Sequence, residues 1–394
     1  MRPTPVRRGL EAGAKLLLAP LIRPGAAPDG WGLLSWDYEQ GLCLTYARDD
    51  AAIYIEIEPR DDARDCYGRT RHFNVNARPV NTESRDVGPG GRGLVEWAIA
   101  TLAGSESVLD GAERPRGTRR GAMREILVEQ VLIPERQGQY YINPYVGCTI
   151  GCSFCYVGPR ADLSRRIEGL PELDWGHYLD VKVNAAEVLA REIHQHPPGL
   201  VRMSPILTDP YQPAERKYRI TRQCLEVLAP SGFTPCILTR GARIVEDLDV
   251  LSRFEHPMAG FSIPTDDDRM RALFEPGADP IDDRIDALRQ LHEAGVTTLV
   301  VIQPMLPMNV DRLIELIGPY TDIVRVDRMH FEFASPIYEA HGLEWANTET
   351  FFRATYEKLV SGLRAHGAIT NEMDDMAALL REAVARRASG ARAR

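Results

Sequence analysis

The chain has 394 residues, more than one average domain and enough for a large α/β unit of about 200–250 residues beside a smaller module. Hydrophobic residues make up 44% and charged residues 26%, which excludes wholesale disorder. Its 56 acidic residues outnumber 47 basic ones, and the formal charge of −9 argues against attachment to nucleic acid through a broad basic surface.

At the N-terminus, Arg7 and Arg8 precede an apolar patch, Leu16 to Ile22, interrupted by Pro20. The pattern predicts a short packed helix in an extension spanning 1–27, rather than a signal peptide. No run of about 18 apolar residues occurs, so no membrane span is expected. Seven cysteines in a long chain do not read as a disulfide framework, and the expected compartment is a reducing cytoplasm. Residues 28–110 read as a small α+β domain. Ile53, Ile55 and Ile57 alternate with Tyr54, Glu56 and Glu58 at strand period. Trp31–Trp36, Cys43–Tyr46 and His72–Val75 predict further strands, and the stripe Leu94, Val95, Ala98, Leu102 predicts a helix. The glycines at 88–93 are too loosely spaced for a phosphate loop. Five arginines between Arg114 and Arg124, with no acid among them, mark an Arg-rich linker over 111–135.

Beyond the linker, residues 136–340 alternate apolar runs with helical stretches. Strands are predicted over 200–207, 234–239, 258–264, 297–303 and 323–331. Helices are predicted over 185–196, 221–230, 244–254, 282–294 and 310–317. This βα alternation predicts a parallel sheet curled into a partial (β/α)6 TIM-like barrel, with its active site at the C-terminal ends of the strands. The polar residues just past those strands are Thr208, Asp209, Arg240, Thr265, Gln303 and Glu332. Asp266–Asp268 reads as a solvated run opening a helix, His330 as either a residue pointing into the barrel mouth or a hydrogen-bonded core histidine, and Cys224 and Cys236 as buried and inert. Residues 341–394 read as C-terminal helices ending in a basic tail.

The segment Asn143-Pro-Tyr-Val-Gly-Cys-Thr-Ile-Gly-Cys-Ser-Phe-Cys-Tyr156 holds the strongest chemical signal, C-x3-C-x2-C. Cys148, Cys152 and Cys155 fall within eight residues on a glycine-containing loop and can converge on one metal centre. A structural zinc site wants a fourth Cys or His at local spacing, yet the next histidine, His177, lies 22 residues on. An iron–sulfur cluster usually takes four cysteines, so three would leave one iron open to another ligand.

This loop, with an aromatic residue before its last cysteine, resembles the signature of the radical S-adenosylmethionine superfamily. Within it the chain is similar to the spore photoproduct lyase-like group. The likeness runs through Val181–Ala185, Thr208-Asp-Pro-Tyr-Gln-Pro-Ala-Glu215, Thr221–Leu228, Leu238-Thr-Arg240, Asp247–Leu251, Phe261-Ser-Ile263, Glu275-Pro-Gly277 and Ala294-Gly295. The resemblance implies a radical SAM barrel in which Cys148, Cys152 and Cys155 hold a 4Fe–4S cluster. S-adenosylmethionine would chelate the fourth iron, and an external one-electron donor would start its cleavage to a 5′-deoxyadenosyl radical. Carried over by position, Thr208 and Asp209 would meet the amino end of S-adenosylmethionine, Arg240 its carboxylate and Ser262 its ribose; Tyr156 is retained beside them.

Departures redirect the substrate. The group's DNA-repair members carry a hydrogen-returning cysteine where this chain has Ile206, and a tyrosine where it has Phe154. Neither replacement can relay a hydrogen atom, so consumption of S-adenosylmethionine is expected. The leading expectation is a peptide or protein substrate, such as a ribosomal natural-product precursor, including backbone excision, with the N-terminal domain holding it by strand addition. Nucleic-acid lesion repair is the enzymatic alternative, and a zinc-stabilised binding module the non-enzymatic one.

Overall fold

A computed structural model describes residues 6–7, 12–37, 42–59, 66–80, 86–106, 122–136, 138–167, 170–204, 208–329, 332–370 and 375–389. Strand β1 (Val6–Arg7) and the helix Ala12–Ile22 come first. An antiparallel sheet follows, built from β2 (Gly32–Asp37), β3 (Leu42–Arg48), β4 (Ala51–Pro59), β5 (Gly68–Arg69) and β6 (Phe73–Pro79). Its spatial order is β2-β3-β4-β6-β5. Ile53, Ile55 and Ile57 are buried and their alternating neighbours half-buried, so one face packs inward. That face meets Leu17, Leu18 and Leu21 of the first helix, which is thus a packed element as expected. The Tyr46 hydroxyl donates to the Leu21 carbonyl at 2.8 Å.

The helix carrying Leu94, Val95, Ala98 and Leu102 begins earlier than its apolar stripe, at Gly88. Glycine disfavours helix, but here it permits a close approach. A Cβ on Gly91 would lie 2.4 Å from Ile53 and 2.8 Å from Val87.

Next come β7 (Ala122–Leu127), β8 (Ile133–Arg136), β9 (Gln139–Tyr141), β10 (Tyr145–Val146) and β11 (Tyr178–Lys182). A four-stranded sheet has the order β1-β7-β11-β10. The stretch expected to be an Arg-rich linker therefore carries paired strands from residue 122 on; residues 111–121 lie outside the described residues. Arg124 is not a solvated charge either, because its Nε donates to buried Asp180 at 2.8 Å.

The third sheet adds β12 (Leu200–Met203), β13 (Thr234–Thr239), β14 (Met258–Ser262), β15 (Thr297–Ile302), β16 (Ile323–Val326) and β17 (Ile369–Thr370). Its order is β17-β16-β15-β14-β13-β12-β9-β8, parallel except for β8. The two ends do not meet, so the barrel is partial, as expected. Side-chain alternation separates two faces. Val201, Ile237, Phe261, Val300 and Val324 pack against the surrounding helices, including 220–228, 281–293 and 349–365. Leu200, Cys236, Met258, Leu299 and Ile323 point the other way, against Leu379, Leu380 and Ala383 of the helix Met376–Ala388. Cys224 and Cys236 are buried, as expected. Among the described residues, no helix is long and apolar enough to cross a membrane.

Arg387 fastens that last helix to the barrel. It pairs with Asp322 and donates to the carbonyls of Gly295 and Val296, each at 2.8 Å. Arg387→Ala should lower unfolding stability by about 1–3 kcal/mol, because it removes the counter-charge of buried Asp322, which would keep only the Thr298 donors among those described. Urea denaturation checks this, and an unchanged midpoint would refute the fastening role.

Candidate active site

Strand β10 ends at Val146 and delivers the chain into the cysteine loop, after which the helix Val157–Ile167 begins. Gly147 sits at φ +87° and Gly151 at φ +65°, the left-handed region that side chains resist. A Cβ on Gly147 would lie 2.6 Å from the Tyr178 carbonyl oxygen. The loop is clamped from two directions. From beyond β12, the Thr208 hydroxyl donates to the Gly147 carbonyl at 2.7 Å. Gln212 donates to the Thr208 oxygen at 2.6 Å and accepts the Thr149 N–H at 2.9 Å. From the turn after the helix Asp268–Phe274, the Gly277 N–H donates to the Ile150 carbonyl and the Ser153 N–H to the Phe274 carbonyl, both at 2.9 Å.

Cys148 and Cys152 are buried and Cys155 half-buried. Burial, then the charge of Asp209, pushes the Cys148 thiol up to about 12. Burial raises Cys152 and Cys155 as well, and the Arg240 guanidinium opposes it at both. The three thiols influence one another electrostatically, so they share one neighbourhood. Among the described residues, no three His, Cys, Asp or Glu side chains are gathered as ligands of a single ion.

Asp209 lies buried at the loop's edge. It accepts the Thr239 hydroxyl, the Arg240 N–H at 2.7 Å and the Tyr211 N–H at 2.9 Å. Burial pushes its carboxyl above the usual range despite those donors. Arg240 directs Nε to Glu275, and Arg284 donates to the other oxygen of Glu275 at 2.9 Å. Burial would raise Glu275, but Arg284 and Arg240 outweigh it and hold the carboxyl below its usual range. Arg284 also donates to the Ser262 carbonyl at 2.8 Å. Ser262 registers with Val301 and through it with Arg325, so these residues share the inner face of the sheet.

The fold thus gathers Cys148, Cys152, Cys155, Thr208, Asp209 and Arg240, with Ser262 on the adjoining strand. Tyr156, next to Cys155, is 40% exposed and its hydroxyl interacts electrostatically with Arg202. Ile206 and His330 lie outside the described residues. Asp267 caps the helix Asp268–Phe274, as the acidic run suggested, but Asp266 is buried and accepts the Asn309 N–H at 2.7 Å. Gln212 and Glu275 lay inside the sequence motifs without being singled out, and nothing in the sequence marked Arg284. A cavity of about 310 Å³ opens beside Cys152 and Cys155, lined also by Asp162, Trp175, Tyr178 and Phe333.

Residues 142–318 match the Radical SAM superfamily. The matched segment belongs to that superfamily, whose enzymes act through a 5′-deoxyadenosyl radical. An uncharacterized protein of Methanocaldococcus jannaschii is 27% identical over 197 residues, 50% of this chain and 70% of that protein. A radical SAM Nalpha-GlyT isomerase of Pseudomonas phage M6 is 27% identical over 189 residues, 48% of this chain but only 36% of the relative. Spore photoproduct lyase complexed with dinucleoside spore photoproduct superposes with a TM-score of 0.42 at 16% identity, covering 56% of this chain and 66% of that one.

Two outcomes follow from this geometry. Gly147→Ala combines a left-handed backbone with a backbone clash and should cost about 3 kcal/mol or more. Gly138→Ala, at φ +68° with nothing within 4 Å, should cost only about 1 kcal/mol, so equal thermal shifts would refute the clash. Glu215, buried and accepting the Tyr145 hydroxyl, is raised from 4.5 to about 7 by burial. Folding therefore favours its protonated form. Stability should fall by about 2–3 kcal/mol as pH rises from 4.5 through 7, and Glu215→Gln should flatten that slope in pH-dependent urea melts.

Proposed function

We propose that the chain holds a 4Fe–4S cluster through Cys148, Cys152 and Cys155, binds S-adenosylmethionine beside it, and modifies a peptide or protein. The observation supporting the chemistry is a pre-shaped loop of three neighbouring thiols, two of which, Cys152 and Cys155, feel the charge of a buried cation, Arg240. The donor set fits an iron–sulfur cluster with one open iron better than zinc, since a structural zinc site wants a fourth Cys or His. When bound, cluster and cosubstrate together supply a radical that takes a hydrogen atom from the substrate.

The chain's own residues orient and shield. Arg240 is assigned to the carboxylate of S-adenosylmethionine, Asp209 to its ammonium and Ser262 to its ribose. Thr208 serves through the Gly147 carbonyl it already holds, and exposed Tyr156 lies on the approach to the loop. The helix Met376–Ala388 closes the far end of the inner face against water, as a reactive radical demands. An external one-electron donor completes the reaction, and S-adenosylmethionine is consumed.

The substrate reading rests on the N-terminal sheet. Its outer strand β2 is the sheet's edge, which touches β8 of the barrel sheet and leaves Leu34 65% exposed. Strand β4 of the same sheet contacts the helix Val157–Ile167 that leaves the cysteine loop. An extended peptide added to β2 would gain main-chain hydrogen bonds near the radical site.

Anaerobically reconstituted protein should carry about four irons, and with dithionite and S-adenosylmethionine it should release 5′-deoxyadenosine. Cys152→Ala should abolish that release; one bound zinc and no nucleoside would end this reading. Peptides should accelerate release, and Leu34→Asp should weaken that response. Acceleration by oligonucleotides alone would assign the enzyme to nucleic acid.

A further inference from the structure

Arg240 faces an electrostatic difficulty as a carboxylate-binding residue. Its Nε is already committed to Glu275, and a lone buried ion pair would be neutral. An incoming carboxylate would then meet no net positive charge. Arg284 removes this difficulty. It is fully buried on the helix Ile281–Glu293 and occupies the second oxygen of Glu275. Its other hydrogen bonds go to the carbonyls of Asp279 and Ser262, each at 2.8 Å. Two guanidinium groups thus share one carboxylate, leaving a surplus positive charge.

The surplus has a defined outlet. Among the described residues, Arg240 hydrogen-bonds through its backbone and Nε alone, so its Nη1–Nη2 edge remains available. Its Cζ lies 5.7 Å from the centre of the Phe154 ring, and its charge reaches the thiols of Cys152 and Cys155. Asp209 also attracts the Arg240 charge, but it hydrogen-bonds the backbone N–H of Arg240 and leaves the guanidinium edge uncovered. Arg271, the other neighbouring cation, is paired with Asp268.

We infer that Arg284 is a positioning residue that neutralises Glu275 and thereby keeps the charge of Arg240 free for the carboxylate of S-adenosylmethionine. This rests on the assignment of Arg240 to that carboxylate. Glu275 would then serve as a geometric anchor that orients the Arg240 fork, while Arg284 sets the charge.

Equilibrium dialysis of S-adenosylmethionine and of decarboxylated S-adenosylmethionine, on reconstituted variants of matched iron content, tests the inference. Arg284→Met should weaken S-adenosylmethionine about 10- to 100-fold and the decarboxylated probe less than about threefold. Adding Glu275→Gln removes the uncompensated acid. The double variant Glu275→Gln/Arg284→Met should therefore regain most of the lost affinity, and Arg284→Lys should fall between wild type and Arg284→Met. Equal weakening of both ligands, or a double variant no better than Arg284→Met, would overturn the inference. If Arg284→Met does not fold, Glu275→Gln decides: it should bind S-adenosylmethionine at least as tightly as wild type, and weaker binding refutes the charge role. Arg240→Met separates the two levels. If it weakens both ligands equally, the assignment of Arg240 fails; if it discriminates while the double variant shows no recovery, only the role of Arg284 fails.

Discussion

A carboxylate sealed from solvent must find cations, because leaving it unpaired would be far more costly than ordering its partners. Glu275 finds two, Arg240 and Arg284, and it sits in the turn whose neighbours hold the cysteine loop. Phe274 accepts from Ser153 and Gly277 donates to Ile150. A displacement of the ion triad would therefore pull on the loop, and a shifted loop would strain the triad. The second clamp, through Thr208 and Gln212, comes from the β12 side, so the loop is braced at its start and near its end. Its left-handed glycines supply the local shape, and the buried polar clamps keep it.

Much of the barrel was legible because its strands are near-continuous apolar runs and its helices carry clean stripes. The strand over 234–239 and the helix over 310–317 coincide with the sequence reading, whereas the strands ending at Met203 and Val326 leave the described residues 204 and 327–329 outside them; residues 205–207 and 330–331 lie outside the described residues. Polar residues past strand ends belong to the active-site rim, and propensity cannot place that boundary. The cysteine loop was legible from spacing alone. Gln212 and Glu275 were visible only as letters in a motif, and Arg284 was hidden on a helix whose apolar face explains its other neighbours. A buried arginine looks like a surface arginine until its partner is known to lie across the fold.

The N-terminal module shows the same limit in another form. The glycines of Gly88 to Gly93 disfavour helix by local preference, yet those residues are helical where the helix approaches β4 closely. Arg124 reads as solvated, yet it closes a strand pair through Asp180. In both places tertiary packing overrides local preference. The first lies inside the N-terminal module and the second in the four-stranded sheet that follows it.

Local charge balance also changes what the overall charge can say about substrate. The −9 is a property of the whole chain and not of any one face. On and beside the inner face, Arg202 pairs with Glu135, Arg325 with Asp327 and Arg284 with Glu275. A substrate entering there meets near-neutral pairs rather than an acidic field, and Arg240, sharing its acid with Arg284, is the exception. Global acidity thus weighs against nucleic acid at the outer surface and says little at the barrel mouth. On the proposed reading the N-terminal sheet is the larger discriminating surface, and a ligand added along β2, beside its contact with β8, would have to present backbone N–H and C=O groups in register.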